Sequence, residues 1–414
     1  MSALAVGTNE QTEALLGTAQ DTRKVEGTSR VIPVCRTLER IRDWLGEAGV
    51  SRIADVTGLD VLGIPVFNSI RPGAADGNLT VTSGKGADAD SSRASAAMEA
   101  IERHYGEQHG RVGEQLTYGE ASVTGHALHP SRLILNRDSE YREDQPIEWW
   151  PMRELRSGAE VLVPAQAVFV PYHGSTNLFG SSSNGLASGN SAPEALLHGM
   201  YEVIERDNVA FGETLLEGRQ VALEGLPSGA RRLVETMASN DIDVWIRYLP
   251  GPIDVPTFHV VIDDRSSNDP MLINGGFGTH LDPETALMRA LCEAAQSRLS
   301  VISGAREDLE EHLGSRLSGY ENVRARMTDW FTAWEPIRFD EIRSDDSDNV
   351  RQDVETVMSR LSASLLHRVF ACELQPAEAP FSVVRVVVPG AEVAHVQRKR
   401  VGQRLRAARA DHVR

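Results

Sequence analysis

Residues 182–207 read SSNGLASGNSAPEALLHGMYEVIERD, and the rest of the chain is organised around them. A small-residue loop hinged on Gly185 and Gly189 gives way to a helix that carries four acids. With Ser191 at the N-cap, Glu194 falls three residues on, the spacing of a Ser-x-x-Glu capping box. At about 100° per residue, Glu194, His198, Glu202 and Glu205 share one arc of roughly 80°. Leu196, Met200, Val203 and Ile204 take the other side, so the acids are expected on the face opposite the buried one. Glutamates this close repel one another, and the grouping makes sense if cations occupy that face.

The device appears twice more. Upstream, SGKGADADSSRASAAMEAIER (83–103) carries Glu99 and Glu102 in Glu-Ala-Ile-Glu-Arg, against Glu-Val-Ile-Glu-Arg at Glu202–Arg206. Downstream, GGFGTHLDPETALMRALCEAAQSR (275–298) sets Pro283-Glu284 and Ala286-Leu287 against Pro193-Glu194 and Ala195-Leu196, with Thr285 inserted. Past the insertion Glu293 lies on Glu202 and Gln296 on Glu205. Each unit is a loop with a glycine (Gly86, Gly189, Gly278) followed by a helix with polar groups three apart. A spacing of roughly a hundred residues is too wide for a solenoid, so three related units are read as converging on one site.

The chain has 414 residues and a formal net charge of −17, which argues against nucleic-acid binding and bears mainly on solubility. Cys35, Cys292 and Cys372 have neither disulfide-framework nor metal-ligand spacing and read as buried small side chains in a reducing compartment. There is no basic-then-apolar leader and no apolar run near the ~18 residues of a membrane helix. The expectation is a cytoplasmic protein with no membrane partner.

The elements expected along the chain suggest an α/β or mixed α+β sheet scaffold. Residues 1–27 read as a partly mobile arm, 28–395 as one catalytic domain with possible subdivisions near 110–170 and 310–350, and 396–414 as an arginine-rich tail. A helix is expected from about Cys35–Thr37 to Gly46 or Gly49, then two short strands within Ile53–Val66 and a strand at Leu79–Thr82. VLVPAQAVFVPY (161–172) reads as strand-like and Tyr172–Gly189 as loop. A helix over Arg231–Asn240 precedes strands VWIRYL, TFHVVID and MLING. The third unit's helix starts at Pro283, with Asp282 as N-cap. Val350–Leu366 reads as helix and SVVRVVV (382–388) as a buried strand.

Lys85, in Ser-Gly-Lys-Gly, invites a phosphate-loop reading. The first glycine and final hydroxyl of a Walker A loop are missing, so an ordinary P-loop is rejected. A lysine before a helix N-terminus still suits an anion. Glutamates from two helices, with Arg103 and Arg206 directly after them, suit Mg²⁺–nucleotide binding: carboxylates hold the hard ion and guanidinium groups the phosphate. A single acidic helix face would read as solvated surface; the repeated Glu-x-Ile-Glu-Arg favours a shared site.

In this order, SGKG…ASAAMEAIER, SNGLASGN…EALLHGMYEVIERD and ALMRALCEAAQSRLSVISGARED resemble the YcaO family, with RTLER and SVVRVVVPG fitting its flanks. The resemblance spans about Arg30 to Gly390. It implies the family's own α/β ATP-binding fold and activation of a peptide backbone amide by phosphorylation of its oxygen. By resemblance Glu99, Glu102, Glu194, Glu202 and Glu205 are Mg²⁺–ATP acids. Arg30, Thr37, Lys85, Asn190 and Arg206 are nucleotide or phosphate contacts, and Gln296 and Arg298 match the third motif. Azoline-forming members that work with a partner protein commonly end in a proline-rich tail, whereas this sequence has no proline after Pro389. VEGTSR and DVTGLDVLGIPVFNSIRP look most like members paired with a TfuA protein, which make thioamides. The implied partners are a ribosomally made precursor peptide, a TfuA-like protein and a second copy of the chain in a homodimer. Azoline or macroamidine formation stands as the alternative, and a non-catalytic nucleotide-binding accessory subunit as a reading from another class.

Overall fold

The structure is a computed structural model, and it describes residues 12–18, 20–123, 126–174, 177–305, 319–332 and 334–412. Three sheets carry it. The first is antiparallel and three-stranded: Arg52–Asp55 (β1), Val66–Ile70 (β2) and Val81–Lys85 (β3). The second joins Glu114–Leu116 (β4), Ile147–Glu154 (β5), Glu160–Pro164 (β6), Leu186–Gly189 (β7), Phe370–Glu373 (β13) and Ser382–Val387 (β14). Its order is β4-β5-β13-β14-β7, with β6 also on β5. The third joins Arg219–Val221 (β8), Ile242–Tyr248 (β9), Thr257–Asp264 (β10), Ile273–Thr279 (β11) and Pro336–Ile337 (β12), in the order β11-β10-β9-β8-β12.

Seven helices of ten residues or more pack on these sheets among the described residues: Val34–Glu47 (α1), Ala89–Gly106 (α2), Ala192–Leu215 (α3), Ser228–Ala238 (α4), Pro283–Ser303 (α5), Val350–Ala363 (α6) and Gln403–His412 (α7). The three related units of the sequence are β3–α2, β7–α3 and β11–α5, each a strand followed by the helix that carries polar groups. In all three a glycine lets strand backbone lie close on helix backbone, and a Cβ at Gly189 would stand 2.6 Å from the Ala195 nitrogen. A Cβ at Gly84 would stand 2.0 Å from the Ala96 nitrogen, and one at Gly276 would stand 2.3 Å from that of Ala294. Only a residue without a side chain fits such an approach.

β10, antiparallel to β9 and β11, is buried along its whole length. Phe258, Val260 and Ile262 face a core shared with Ala286, Ala290 and Ala294 of α5. On its other side Val261 packs with Tyr320 and Val323. The amphipathic expectation for α3 is corrected here. Leu196, Met200, Val203 and Ile204 are buried, yet Glu194 and Glu205 are buried too, at 3% and 8% exposure. α3 is clasped by β7, β14 and α6, so its acids face an interior cleft rather than solvent.

Other expectations shift for local reasons. α1 starts at Val34 behind Pro33, whose ring supplies an extended N-cap. The second strand expected before Val66 forms only from Val66, after a 3₁₀ turn at Thr57–Leu59. VLVPAQAVFVPY is strand only to Pro164, and Leu186–Gly189, expected as loop, pairs with β14. α5 follows expectation, with the Asp282 carboxylate accepting from the Thr285 N–H at 2.9 Å.

Both terminal segments are tied down where they are described. Leu15 is buried in the α3–α6 core, and Lys24 Nζ sits between Asp346 and Asp353. At the other end, the buried Glu392 carboxylate accepts from Gly402 N at 2.7 Å and Leu405 N at 3.0 Å. Arg404 pairs with Asp207 of α3, and Leu405 packs on Ala210, Phe211 and Leu215. The tail is therefore part of the α3 environment. Residues 1–11 of the expected arm, and 306–318 of the expected subdivision near 310–350, lie outside the described residues.

Gly84→Val should lower the melting temperature of the protein, because its Cβ would overlap helix backbone that has no rotamer to yield; overpacking of this kind costs about 1–3 kcal/mol. An unchanged unfolding midpoint in a thermal scan would contradict this packing.

Candidate active site

α2, α3 and α5 deliver their polar faces to one cleft. From α2, the Glu102 carboxylate accepts from Ser188 Oγ at 3.0 Å, and Glu99 lies 3.6 Å from Arg103. From α3, Arg206 stands 3.9 Å from Glu202 and 3.4 Å from Glu205. From α5, Glu293 pairs with Lys85 at the end of β3 and accepts the Phe277 N–H at 3.2 Å. Gln296 donates to the Ser83 carbonyl, which fastens α5 to the same strand. Glu293 is a site residue that the motif reading aligned with Glu202 but did not count among the acids.

Glu194 works differently from the other acids. It accepts from Asn190 N at 2.8 Å, Asn190 Nδ2 at 3.0 Å and Val31 N, with Arg30 at 3.7 Å. Asn190 in turn accepts from Thr37 Oγ1 at 2.7 Å. Arg30, Thr37, Asn190 and Glu194 therefore form one strap that brings the N-terminal segment to the start of α3. The capping box is not formed as expected. Glu194 holds the N–H of Asn190, one residue early, and Ser191 Oγ is buried without a hydrogen-bond partner. His198, on the same arc, accepts from Arg289 Nη2 at 2.7 Å and is held well below its ordinary pKa by burial, Arg289 and Arg30.

Arg298 does not join the cleft. Its guanidinium is buried between Asp60 at 3.1 Å and Asp264 at 3.0 Å, tying α5 to the loop after β1 and to the end of β10. Five residues beyond Glu293, it projects roughly 140° away around the helix. The third motif thus contributes Glu293 and Gln296 to the cleft, and Arg298 to the scaffold.

The electrostatics distinguish the cleft from a salt-linked surface. Burial, with Glu99 and Glu202 alongside, pushes Glu102 up to about 8. Burial also raises Glu202 and Glu205, against the pull of Arg206. Glu293 alone is held low: burial works to raise it, but Lys85 and Arg206 outweigh that effect. Arg206 is desolvated, yet Glu205, Glu202 and Glu293 keep it raised. On β14, Arg385 is buried near Glu202 and Glu102; its Nε and Nη2 reach backbone carbonyls of Ala167 and Ser182, and its Nη1 has no hydrogen-bond partner.

Such a set fits a hard cation and a polyanion together. Carboxylates whose pKa is raised for want of positive charge would lose their protons to solvent if Mg²⁺ took their place. Arg206, Lys85, Arg30 and the unpartnered Ser191 hydroxyl at the N-terminus of α3 offer contacts to phosphate.

The pH dependence of stability follows from Glu102. Between about pH 4.5, its ordinary value, and about pH 8, the folded chain holds a proton that the unfolded chain has released. Stability from this group therefore falls as pH rises through that window and levels off above it. Glu102→Gln removes the loss, so metal-free protein carrying it should melt higher than the parent at pH 8 and match it at pH 4.5. A parent-like fall in the variant would show that the proton sits elsewhere.

Known proteins are similar to this chain over most of its length. A protein of Methanothermobacter thermautotrophicus is 40% identical over 382 residues, which is 90% of this chain and 97% of that protein. A Rhizobium leguminosarum bv. trifolii protein, named for its position in the tfuA 3′ region, is 30% identical over 384 residues, covering 88% and 89% of the two chains. The structure of YcaO from Methanopyrus kandleri bound with AMPPCP and Mg²⁺ superposes with a TM-score of 0.77 at 26% identity, over 92% of this chain and 98% of that one. The family described as YcaO cyclodehydratase, ATP- and Mg²⁺-binding, matches residues 83–392. The α/β fold with no P-loop, the acids on three helices and the length of these matches agree: the chain belongs to the YcaO family.

Proposed function

We propose that the protein uses ATP and Mg²⁺ to phosphorylate a backbone amide oxygen in a ribosomally made peptide, and that hydrosulfide then replaces that oxygen to give a thioamide. The observation that carries the ATP–Mg²⁺ part is the cluster Glu99, Glu102, Glu202, Glu205 and Glu293, gathered half-buried or buried from three helices with too little positive charge of its own. Glu194 belongs to this site as the acid that positions Arg30 and Asn190, since protein donors already occupy both of its oxygens. Arg30, Thr37 and Asn190 would frame the nucleotide, and Arg206 and Lys85 would face its phosphates.

An amide carbonyl is a weak electrophile and its oxygen a poor leaving group. The terminal phosphoryl group of ATP makes that oxygen able to leave, with Mg²⁺ offsetting its charge. What the chain supplies is placement: carboxylates fixed on rigid helices, guanidinium groups facing the phosphates, and a cleft that limits water. The resemblance of VEGTSR and DVTGLDVLGIPVFNSIRP to TfuA-paired members, and the relative from a tfuA region, favour external sulfide as nucleophile. The cyclodehydratase description of the family supports azoline formation by an internal thiol or hydroxyl as the second reading. A cytoplasmic homodimer working with a TfuA-like partner completes the proposal.

Glu202→Gln and Glu205→Gln should each abolish Mg²⁺–ATP binding in calorimetry while leaving the circular dichroism spectrum unchanged. Full ATP turnover by either variant would defeat the metal assignment. A candidate precursor peptide encoded beside this gene, incubated with the protein, ATP, Mg²⁺ and sodium sulfide, should gain about 16 mass units as sulfur replaces oxygen in the activated amide. A sulfide-independent loss of about 18, one water, would assign the second reading instead.

A further inference from the structure

The stripe of α3 that begins at Glu205 continues through Val209 to Glu213, each one turn further on. Val209 packs against Phe277, the residue whose N–H holds Glu293 in the cleft. Glu213 accepts His395 Nδ1 at 2.8 Å, and the His395 ring stands edge-on to Phe277 with centroids 4.9 Å apart. Phe277 therefore joins the acid cleft, through its backbone N–H, to a carboxylate–imidazole pair beside its ring. Eight residues of helix place that pair ~12 Å along the axis from Glu205, leaving room for a phosphoryl group and the peptide bond that receives it.

The pair has the form of a general base. A carboxylate on Nδ1 fixes the ring and its tautomer, leaving Nε2 as the proton acceptor. His395 keeps 18% of its side chain exposed and Glu213 keeps 38%, so a substrate can reach them. The neighbours are less suited. His259, stacked on Phe277 with ring centroids 4.5 Å apart, is 4% exposed and pushed down to about 3 by burial, Arg247 and His395. Cys292 and Cys372 are pushed up to about 11 and about 12 by burial.

We infer that His395, oriented by Glu213, is the base that takes the proton of the attacking nucleophile. The inference rests on the proposed amide activation. In the step it serves, a nucleophile H–X (hydrosulfide, thiol or amine) forms a C–X bond to the amide carbon, and the oxygen takes the γ-phosphoryl group as its bond to ADP breaks. The C–O bond then breaks and releases inorganic phosphate. The proton left on the adduct passes to His395 Nε2, where Glu213 offsets the imidazolium charge. ATP and the peptide oxygen account for the phosphate, and no oxidant or reductant is consumed.

The test uses the full chain with His395→Ala and Glu213→Gln, sodium sulfide, and the candidate precursor peptide encoded beside the gene. Both variants should bind Mg²⁺–ATP with parent affinity in calorimetry. His395→Ala should modify the peptide about 100-fold more slowly, the lower end of what a general base contributes. Added imidazole should restore much of that rate, which a purely structural tie between α3 and the C-terminal segment would not allow. Parent-like modification by His395→Ala, or loss of nucleotide binding in proportion to loss of rate, would overturn the inference. If the parent protein itself left the peptide mass unchanged, the amide-activation reading would fall, and this inference with it.

Discussion

Mutual repulsion among crowded, largely desolvated carboxylates is the constraint on which this architecture turns. Glu99, Glu102, Glu202, Glu205 and Glu293 would each prefer water. A fold that gathers them has to hold the three helices together by other means. It does so with apolar contacts on the far sides of the same helices and with glycines that allow strands to lie on helix backbone. Leu196, Met200 and Ile204 on α3, and Ala290 and Ala294 on α5, are fully buried on the sides away from the acids. The stability of these cores offsets a cleft that, before its ions arrive, opposes folding at neutral pH.

The partners that the acids do have are unequal, and the inequality is informative. Glu293 has Lys85 and a backbone N–H, Glu194 has four protein donors within reach, and Glu102 has one serine hydroxyl. The better-supplied groups are fixed in place by those donors, and Lys85 and Arg206 hold Glu293 low. The poorly supplied ones are pushed toward the protonated form by burial, Glu102 up to about 8. A structural ion-pair network would distribute donors evenly, as Arg298 does between Asp60 and Asp264. Glu102 thus marks where the cleft depends on its ligand.

Much of this was legible in the chain because it was written as local pattern. Glu-x-Ile-Glu-Arg at two positions fixes which helix faces meet, and Asp282-Pro283 fixes where the third helix begins. Tertiary context decided the rest. Glu194 and Glu202 share an arc on a helical wheel, but only the approach of Val31 and Asn190 separates a positioning acid from one left open. Arg298 sits two residues from Gln296, and only the placement of Asp60, more than two hundred residues earlier, turns it into scaffold. The loop before α3 hid β7, because four residues with two glycine-like neighbours have no strand period until β14 pairs with them.

The C-terminal segment shows why sequence distance misleads about function here. Residues 392–405 carry no motif, and their arginines suggest a solvated tail. Yet Asp207, the residue directly after the Glu-x-Ile-Glu-Arg run, is buried and bound by both Glu392 N and Arg404. An uncompensated carboxylate at that depth would distort α3 just where Glu205 and Arg206 must be held. The segment therefore holds the helix that carries the cleft acids at two points: Glu392 N and Arg404 bind Asp207, and His395 binds Glu213 about two turns on.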